Sequence, residues 1–331
     1  MTMNLSEKYA AEVINFDHEQ EVVEISEAMR SIMRSILRRR GVVVAISGGI
    51  DSSVSAVLAV KAFGRGKVFG LLLPEKDSSH DTQSRGQQLV EHLGIDYTKH
   101  DIAETLEAIG CYRSRDEAIK RVYPEYREGW KNKITITGGL EGKVNHFLLV
   151  VQDPDGNVRE ERLDLKEYLQ IVAATNYKQR IRKTIEYYHA DRLNYAVIGT
   201  PNRLEYDQGF FVKNGDGSAD LKPIAHLYKT QVYSLARHLE LPDSICNATP
   251  TTDTYSLPQG QDEFYFALPY QEMDKALWAV NMGASVSELA SMLDISSEQA
   301  AFVINDIHNK RKTTAYLHAR PCLMKDIPEI E

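Results

Sequence analysis

Only three cysteines, Cys111, Cys246 and Cys322, occur in 331 residues, and they lie far apart with no CxxC pairing. That scarcity argues against a disulfide framework, a zinc site and a redox pair, and it suits reducing cytoplasm. Long apolar runs are missing as well. No stretch reaches the ~18 apolar residues of a membrane span, and the polar start Met1-Thr2-Met3-Asn4 has neither a charged n-region nor an apolar h-region. Neither export nor membrane insertion is expected. Positive charge is in deficit, with 39 Lys and Arg against 47 Asp and Glu, a formal net charge of −8. Such a balance opposes nucleic-acid phosphates and acidic membranes, which leaves small molecules as the expected partners. The basic run Arg38-Arg39-Arg40 closes a predicted helix, where it complements the dipole instead of marking a targeting patch. Linkers rich in Pro, Gly or Ser, low-complexity runs and repeats are also absent. The chain is therefore read as one domain over 1–331 carrying insertions.

With 43% hydrophobic residues the chain can bury a sizeable core. Val22, Ile25, Met29, Ile32, Met33 and Ile36 recur at three- and four-residue steps, predicting an amphipathic helix that stops at Gly41. Val42-Val43-Val44-Ala45-Ile46 then reads as a strand buried on both faces. Helical spacing through Val54, Val57 and Leu58 and a second apolar strand, Val68–Leu73, complete a βαβ unit. Helices at Asp81–Leu93 and Lys166–Ala190 and the strand Tyr195–Gly199 extend the alternation. The fold class is α/β, a doubly wound and mostly parallel sheet with ligands at its carboxyl edge. Residues 112–164 interrupt it with candidate strands Lys133–Thr137, Val144–Gln152 and Val158–Leu163. The last two are joined by the turn Asp153-Pro154-Asp155-Gly156-Asn157, so an inserted β-hairpin region is expected.

Between the first strand and its helix stands Ser47-Gly48-Gly49-Ile50-Asp51-Ser52-Ser53. Two glycines let the backbone approach an anion, while serine hydroxyls, free amides and the helix dipole can hold phosphate oxygens. Neither the Walker nor the GxGxxG pattern is met. Asp51 among phosphates would repel them unless a cation intervened, so it is a candidate magnesium ligand. The heptad resembles the PP-loop ATP pyrophosphatase families, in which this signature grips the pyrophosphate leaving ATP. That resemblance implies an adenine nucleotide alpha-hydrolase-like fold and ATP as co-substrate.

Further motifs follow in order: Gly199-Thr200-Pro201-Asn202-Arg203-Leu204-Glu205, Gly209-Phe210-Phe211, Gly215-Asp216-Gly217, Pro223-Ile224, Leu227–Tyr233, Leu241-Pro242 and Gln261-Asp262-Glu263. Together with the serine-glycine loop they make residues 41–311 resemble the NAD synthetase family, in its ammonia-dependent form. The resemblance implies that the carboxylate of deamido-NAD attacks ATP, that an acyl-adenylate and pyrophosphate form, and that ammonia displaces AMP to give NAD. It assigns ATP contacts to Ser47, Gly48, Gly49, Asp51, Ser52, Ser53, Thr200 and Lys229, and magnesium to Asp51 and Glu205. Catalytic parts fall to Asp51, to Lys229 as phosphate neutraliser and to Asp216 in the ammonia step, the plain alternative for Asp216 being a turn. Deamido-NAD is assigned to Arg180, Arg182, Lys213, Asp216, Lys310 and Arg311, and Phe210 and Phe211 are read either as a platform for its pyridine ring or as core aromatics. Residues two apart do not share a helix face, so only one of Arg180 and Arg182 is expected to reach ligand. Lys310-Arg311 is expected after a C-terminal helix, within a helical segment at about 270–331. The family's Pro-Ser/Thr-Ala-Asp/Glu-Leu stands here as Pro250-Thr251-Thr252-Asp253-Thr254, which leaves open adenylation of another carboxylate. The resemblance further implies a homodimer, and with no room seen for a glutaminase domain, free ammonia is the expected nitrogen donor.

Ser285–Ser296 followed by Glu298–His308 imitates a helix-turn-helix, but Glu298–Ile307 contains no lysine or arginine for phosphates or bases, and it is read as a structural pair. A tRNA-modifying PP-loop enzyme would want a basic face and often a reactive thiol pair; a non-catalytic nucleotide binder would leave Asp51, Glu205, Lys229 and Asp216 unexplained.

Overall fold

In the computed structural model the described residues are 3–136, 146–249, 254–260, 265–266, 268–325 and 327. The chain starts with α1 (Leu5–Tyr9) and α2 (His18–Ile32), each capped by an acceptor side chain, Asn4 and Asp17. A π-helical turn prolongs α2 to Leu37, and Arg38 ends it in the left-handed conformation (φ 51°), ahead of the predicted stop at Gly41. The first basic residue thus makes the C-cap.

Next come β1 (Val42–Ala45), α3 (Ile50–Phe63), β2 (Val68–Leu72), α4 (His80–Leu93) and β3 (Asp96–Lys99). Helices α5 (Ala103–Ala108) and α6 (Cys111–Val122) lead to β4 (Lys131–Ile136), β5 (Phe147–Gln152) and β6 (Val158–Arg162). The long α7 (Leu165–Leu193) returns to the main sheet at β7 (Ala196–Ile198), followed by α8 (Arg203–Gln208), α9 (Lys229–His238) and α10 (Asp243–Cys246). The C-terminal part holds α11 (Tyr270–Asn281), α12 (Val286–Leu293) and α13 (Ser297–His318).

The main sheet is parallel in the order β3-β2-β1-β7, with Val42 opposite both Val68 and Ala196. Val42, Val43 and Val44 are wholly buried because alternate side chains serve opposite faces. Val42, Val44 and Ile46 pack with α2, α3, α4 and α9, whereas Val43 joins Leu71, Val197 and Ala190 under α7. Chain order reverses direction at β1, so the crevice between the carboxyl ends of β1 and β7 is the topological switch point.

The interruption builds a separate antiparallel sheet, β4-β5-β6, with three strands where the sequence suggests a hairpin plus one candidate. Its turn is held as expected by Asp153, whose carboxylate accepts from the Asp155 and Asn157 amides at 3.0 and 2.9 Å. Of the candidate strand residues, Thr137, Val144 and Asn145 lie outside the described residues. Ile134, Leu149 and Val151 form a small core with Ile119 of α6 and Ile171 of α7. The segment 254–260 docks along β4, with Asn132 N donating to Ser256 Oγ at 2.8 Å and Leu257 N to Asn132 O at 3.1 Å. Pro250, Thr251, Thr252 and Asp253, like Gln261, Asp262 and Glu263, lie outside the described residues.

The helix-turn-helix mimic turns its apolar side inward. Leu289, Ala290, Ala300, Val303 and Ile307 are buried against α11. The second helix runs on to His318, so Lys310-Arg311 lies inside α13 and not beyond it. No Gly or Pro interrupts the run there, and a 22-residue helix results.

Candidate active site

The carboxyl ends of β1 and β7 open into a cavity of about 1590 Å3. That exceeds the ~300–1000 Å3 typical of a pocket for one small ligand, so it has room for two substrates. Ser47, Gly49, Asp51 and Ser52 line it from β1, and Thr200 and Glu205 from β7.

The serine-glycine loop holds its shape by internal hydrogen bonds. Ser52 Oγ and Ser53 Oγ donate to Gly49 O at 3.0 and 2.8 Å, and Gly49 N donates to Ser47 Oγ at 3.3 Å. Gly48 has φ +79°, and a β-carbon there would collide with the Thr82 carbonyl of α4. Only glycine lets the loop lie against α4. Gly48 and Ser53 support the loop without lining the cavity. Among the described residues no side chain caps α3, so the positive end of its dipole is left available to an anion.

Asp51, in the first turn of α3, pairs through Oδ2 with Lys229 Nζ, the two side chains being 17% and 2% exposed. Its Oδ1 accepts from Asn202 Nδ2 at 3.1 Å. Asn202 also forms a capping box with Glu205: the Glu205 amide donates to Asn202 Oδ1 at 3.1 Å, and the Asn202 amide to Glu205 Oε2 at 3.2 Å. Asn202 thereby ties the two acids together across the switch point. Its signal was available in the sequence as the Asn-x-x-Glu spacing of a capping box. Burial opposes a charge on Lys229, but Asp51 and Glu205 outweigh it and hold the ammonium above its ordinary value.

Lys229 opens α9, and that helix start is fixed by Asp274, a fully buried residue of α11 that sequence reasoning missed. Asp274 Oδ2 accepts from Thr230 N at 2.7 Å and Thr230 Oγ1 at 2.8 Å, while its Oδ1 has no partner among the described residues. Burial pushes the carboxyl up to about 6, against the opposing Thr230 bonds. An unfolded aspartate titrates near ~3.9. The folded value being the higher one, the favourable contribution is complete below ~4 and is lost as pH rises through about 6, a swing of ~3 kcal/mol. Asp274→Asn should therefore flatten stability between pH 4 and 7, as read from urea midpoints. An unchanged pH slope would refute the assignment.

A second charged cluster lies deeper along α7. Lys183 Nζ donates to Glu186 Oε2 at 2.6 Å, with the side chains 7% and 5% exposed. Burial raises the carboxyl of Glu186, and that of Asp216 nearby, above the ordinary range, with Lys183 and Arg182 pulling both down. Asp216 Oδ1 also accepts from Val212 N at 2.7 Å, so the residue closes the Val212–Gly217 turn and lines the cavity at once. The Lys183–Glu186 spacing resembles any exposed helix pair, and only the packing of α7 distinguishes it.

Both arginines line the cavity, so lining alone does not single out which of them would reach ligand. Arg182 Nε donates to Leu73 O at 3.1 Å and Arg180 Nε to Lys213 O at 3.3 Å, because the cavity reaches around both sides of α7. Phe210 packs on Tyr265, with ring centroids 4.7 Å apart, and Phe211 meets His318 edge-on at 5.1 Å. Lys213 Nζ reaches Tyr316 O at 2.6 Å, and Lys310 Nζ reaches Tyr265 O at 2.7 Å and Asp306 at 2.6 Å. All four line the cavity. Arg311 does not; it forms a bidentate pair with Asp207 at 2.7 Å on both oxygens, tying α13 to α8.

Residues 21–123 and 150–316 match the model of a family described as NAD synthase. The chain is 52% identical over 324 residues to the NH(3)-dependent NAD(+) synthetase of Rhizobium meliloti, covering 98% of this chain and 97% of that protein. It is 53% identical over 318 residues to the NH(3)-dependent NAD(+) synthetase of Mesorhizobium japonicum, covering 96% and 100%. Among solved structures, the NMN synthetase of Francisella tularensis superposes with a TM-score of 0.61 at 24% identity, covering 95% of this chain and all of that one. The NH3-dependent NAD synthetase of Campylobacter jejuni gives 0.61 at 21%, covering 94% and 100%. These two likenesses concern the fold.

Proposed function

The chain belongs to the NAD synthase family, and on that premise we propose that it amidates deamido-NAD to NAD with ATP and free ammonia. The observation that carries the chemistry is the Asp51–Lys229 pair beside an uncapped helix start, at the switch point of a parallel sheet.

A carboxylate oxygen of the pyridine acid attacks the α-phosphorus of ATP, forming an O–P bond as the bond to pyrophosphate breaks. Ser47, Ser52 and the first amides of α3 hold the departing pyrophosphate. Lys229 neutralises the charge that grows on it, in a site where burial strengthens the interaction. Asp51 and Glu205, in the first turns of the helices that follow the adjacent strands β1 and β7, are the hard oxygen donors that would hold magnesium. Bound there, magnesium would supply positive charge to the phosphates. Asp216 accepts a proton from ammonium; the ammonia so formed attacks the acyl carbon as the carbon–oxygen bond to AMP breaks, and the proton that the nitrogen sheds leaves on the departing AMP phosphate, giving the amide. Residues from α7, α8 and α13 line the cavity in which the acyl-adenylate would form.

The same reading takes residues 1–331 as one domain, acting as a homodimer in a reducing compartment. Cys111 and Cys246 are buried free thiols, and no helix of the described residues is long and apolar enough to cross a membrane.

The test is formation of NAD, AMP and pyrophosphate from deamido-NAD, ATP, Mg2+ and ammonium, wild type against Asp51→Ala. We expect stoichiometric products from wild type and none above background from the variant. Turnover of a different acid in place of deamido-NAD would overturn the substrate, and robust turnover with glutamine in ammonia-free buffer would overturn the nitrogen donor.

A further inference from the structure

Lys183 and Glu186 stand one turn apart on α7, bonded to each other at 2.6 Å, and both line the cavity although both side chains are buried. A buried ion pair adds little stability, since an apolar pair of similar volume packs as well or better. Its position on the wall of the reaction cavity points instead to a use in the chemistry.

The pair faces the turn that carries Asp216. A β-carbon on Gly215 would meet Gln179 Cβ at 2.9 Å, so the turn lies directly against α7. Gln179, Lys183 and Glu186 follow at steps of four and three residues and share one face of the helix. The stripe that receives the turn therefore continues through the ion pair. Burial raises the Asp216 carboxyl, while the Val212 amide, Lys183 and Arg182 draw it down; Asp216 in turn raises that of Glu186.

The other charges around Asp216 are engaged elsewhere. Arg182 Nε donates to Leu73 O at 3.1 Å. Lys222 Nζ donates to Gly217 O at 2.8 Å and lies 4.8 Å from the centroid of the Tyr206 ring. Tyr187, beside Glu186, donates its phenol to Asp220 at 3.4 Å. Lys183 differs, because the group it bonds is a carboxylate on its own stripe, one turn from the position that receives Asp216.

Resting on the amidation reading above, we infer that Lys183 is a positioning residue of the ammonia step: its ammonium keeps Asp216 ionised to take a proton, and Glu186 sets how much of that charge Asp216 feels. When ammonium is deprotonated, one N–H bond breaks and the proton goes to Asp216; neither Lys183 nor Glu186 exchanges a proton with substrate. They act through buried charge that solvent does not screen.

The experiment follows amide formation against pH at saturating ATP and deamido-NAD, dividing each variant by wild type at the same pH. The ammonium–ammonia equilibrium of the medium is common to all and cancels. Lys183→Met removes the cation, so the acid limb of the profile should move to higher pH by about one unit or more. Glu186→Gln removes the competing anion and frees Lys183 for Asp216, so the limb should move to lower pH. Lys183→Arg keeps the charge and should leave the limb close to wild type. ATP–pyrophosphate exchange with deamido-NAD runs without ammonium, and its pH profile should not follow these displacements. A pair that serves packing alone would lower the rate at every pH and displace no limb. Limbs that stay in place, or that move the same way in Lys183→Met and Glu186→Gln, overturn the inference, as does a parallel displacement in the exchange. If Lys183→Met fails to fold because Glu186 is left without its partner, Lys183→Met/Glu186→Gln removes both charges and should still place the limb above wild type; a limb at or below wild type overturns the inference. A wild type without exchange activity instead overturns the amidation reading.

Discussion

Lys229→Met lowers the rate of ATP cleavage by roughly two to three orders of magnitude, the range seen when one preorganised group is removed from developing transition-state charge. The side chain is 2% exposed and aimed at Asp51, so its charge sits where solvent cannot replace it. Methionine keeps the apolar stem in the core, and the start of α9 remains capped by Asp274. Pyrophosphate release in a single-turnover assay should fall while the circular dichroism spectrum stays that of wild type. A variant within tenfold of wild type would remove Lys229 from the chemical step.

The second large effect is on stability. Lys178 is 1% exposed, and its ammonium donates to Glu75 Oε1 at 3.0 Å, Asp77 Oδ2 at 2.6 Å and Thr254 O at 2.8 Å. Arg115 of α6 also pairs with Asp77 at 2.7 Å, and Tyr112 donates to Glu75 at 2.7 Å. Burial works against the Asp77 charge, but Lys178 and Arg115 overcome it and hold the carboxyl below its ordinary range. Lys178→Met leaves Glu75 and part of Asp77 buried without compensation, at a cost of about 3–5 kcal/mol. Urea denaturation measures the loss, and adding Glu75→Gln should recover part of it, because the two groups are coupled. A loss below ~1 kcal/mol, or strictly additive effects, would mean that water already screens the site. The network joins the loop after β2, α6, α7 and the segment beginning at Thr254, so its loss should also loosen the cavity wall.

The fold was legible where local chemistry and burial agree. Val42–Ile46 reads as a strand covered on both faces, found as Val42–Ala45, and Ser47–Ser53 reads as a tight turn entering a helix, which it is. The order of later motifs gave the family. Boundaries fared less well: α2 closes through a π-turn at Arg38, ahead of Gly41, and α13 continues through Lys310-Arg311 because nothing in that stretch breaks a helix.

What the sequence determined by itself is the βα alternation, the phosphate loop and the presence of Asp51, Glu205 and Lys229. Periodicity and turn chemistry act over a few residues, and those features are local. What only the tertiary structure decided is which distant groups meet. Asn202 joins Asp51, Asp274 fixes the helix that carries Lys229, and Lys178 and Lys183 are buried ion-pair centres although each looks like a surface lysine. Placing β4 and β5 beside the cavity likewise depends on chain segments far apart in sequence packing on α7. Burial turns an ordinary charge into a strong and selective one, and burial is a property of the assembled fold.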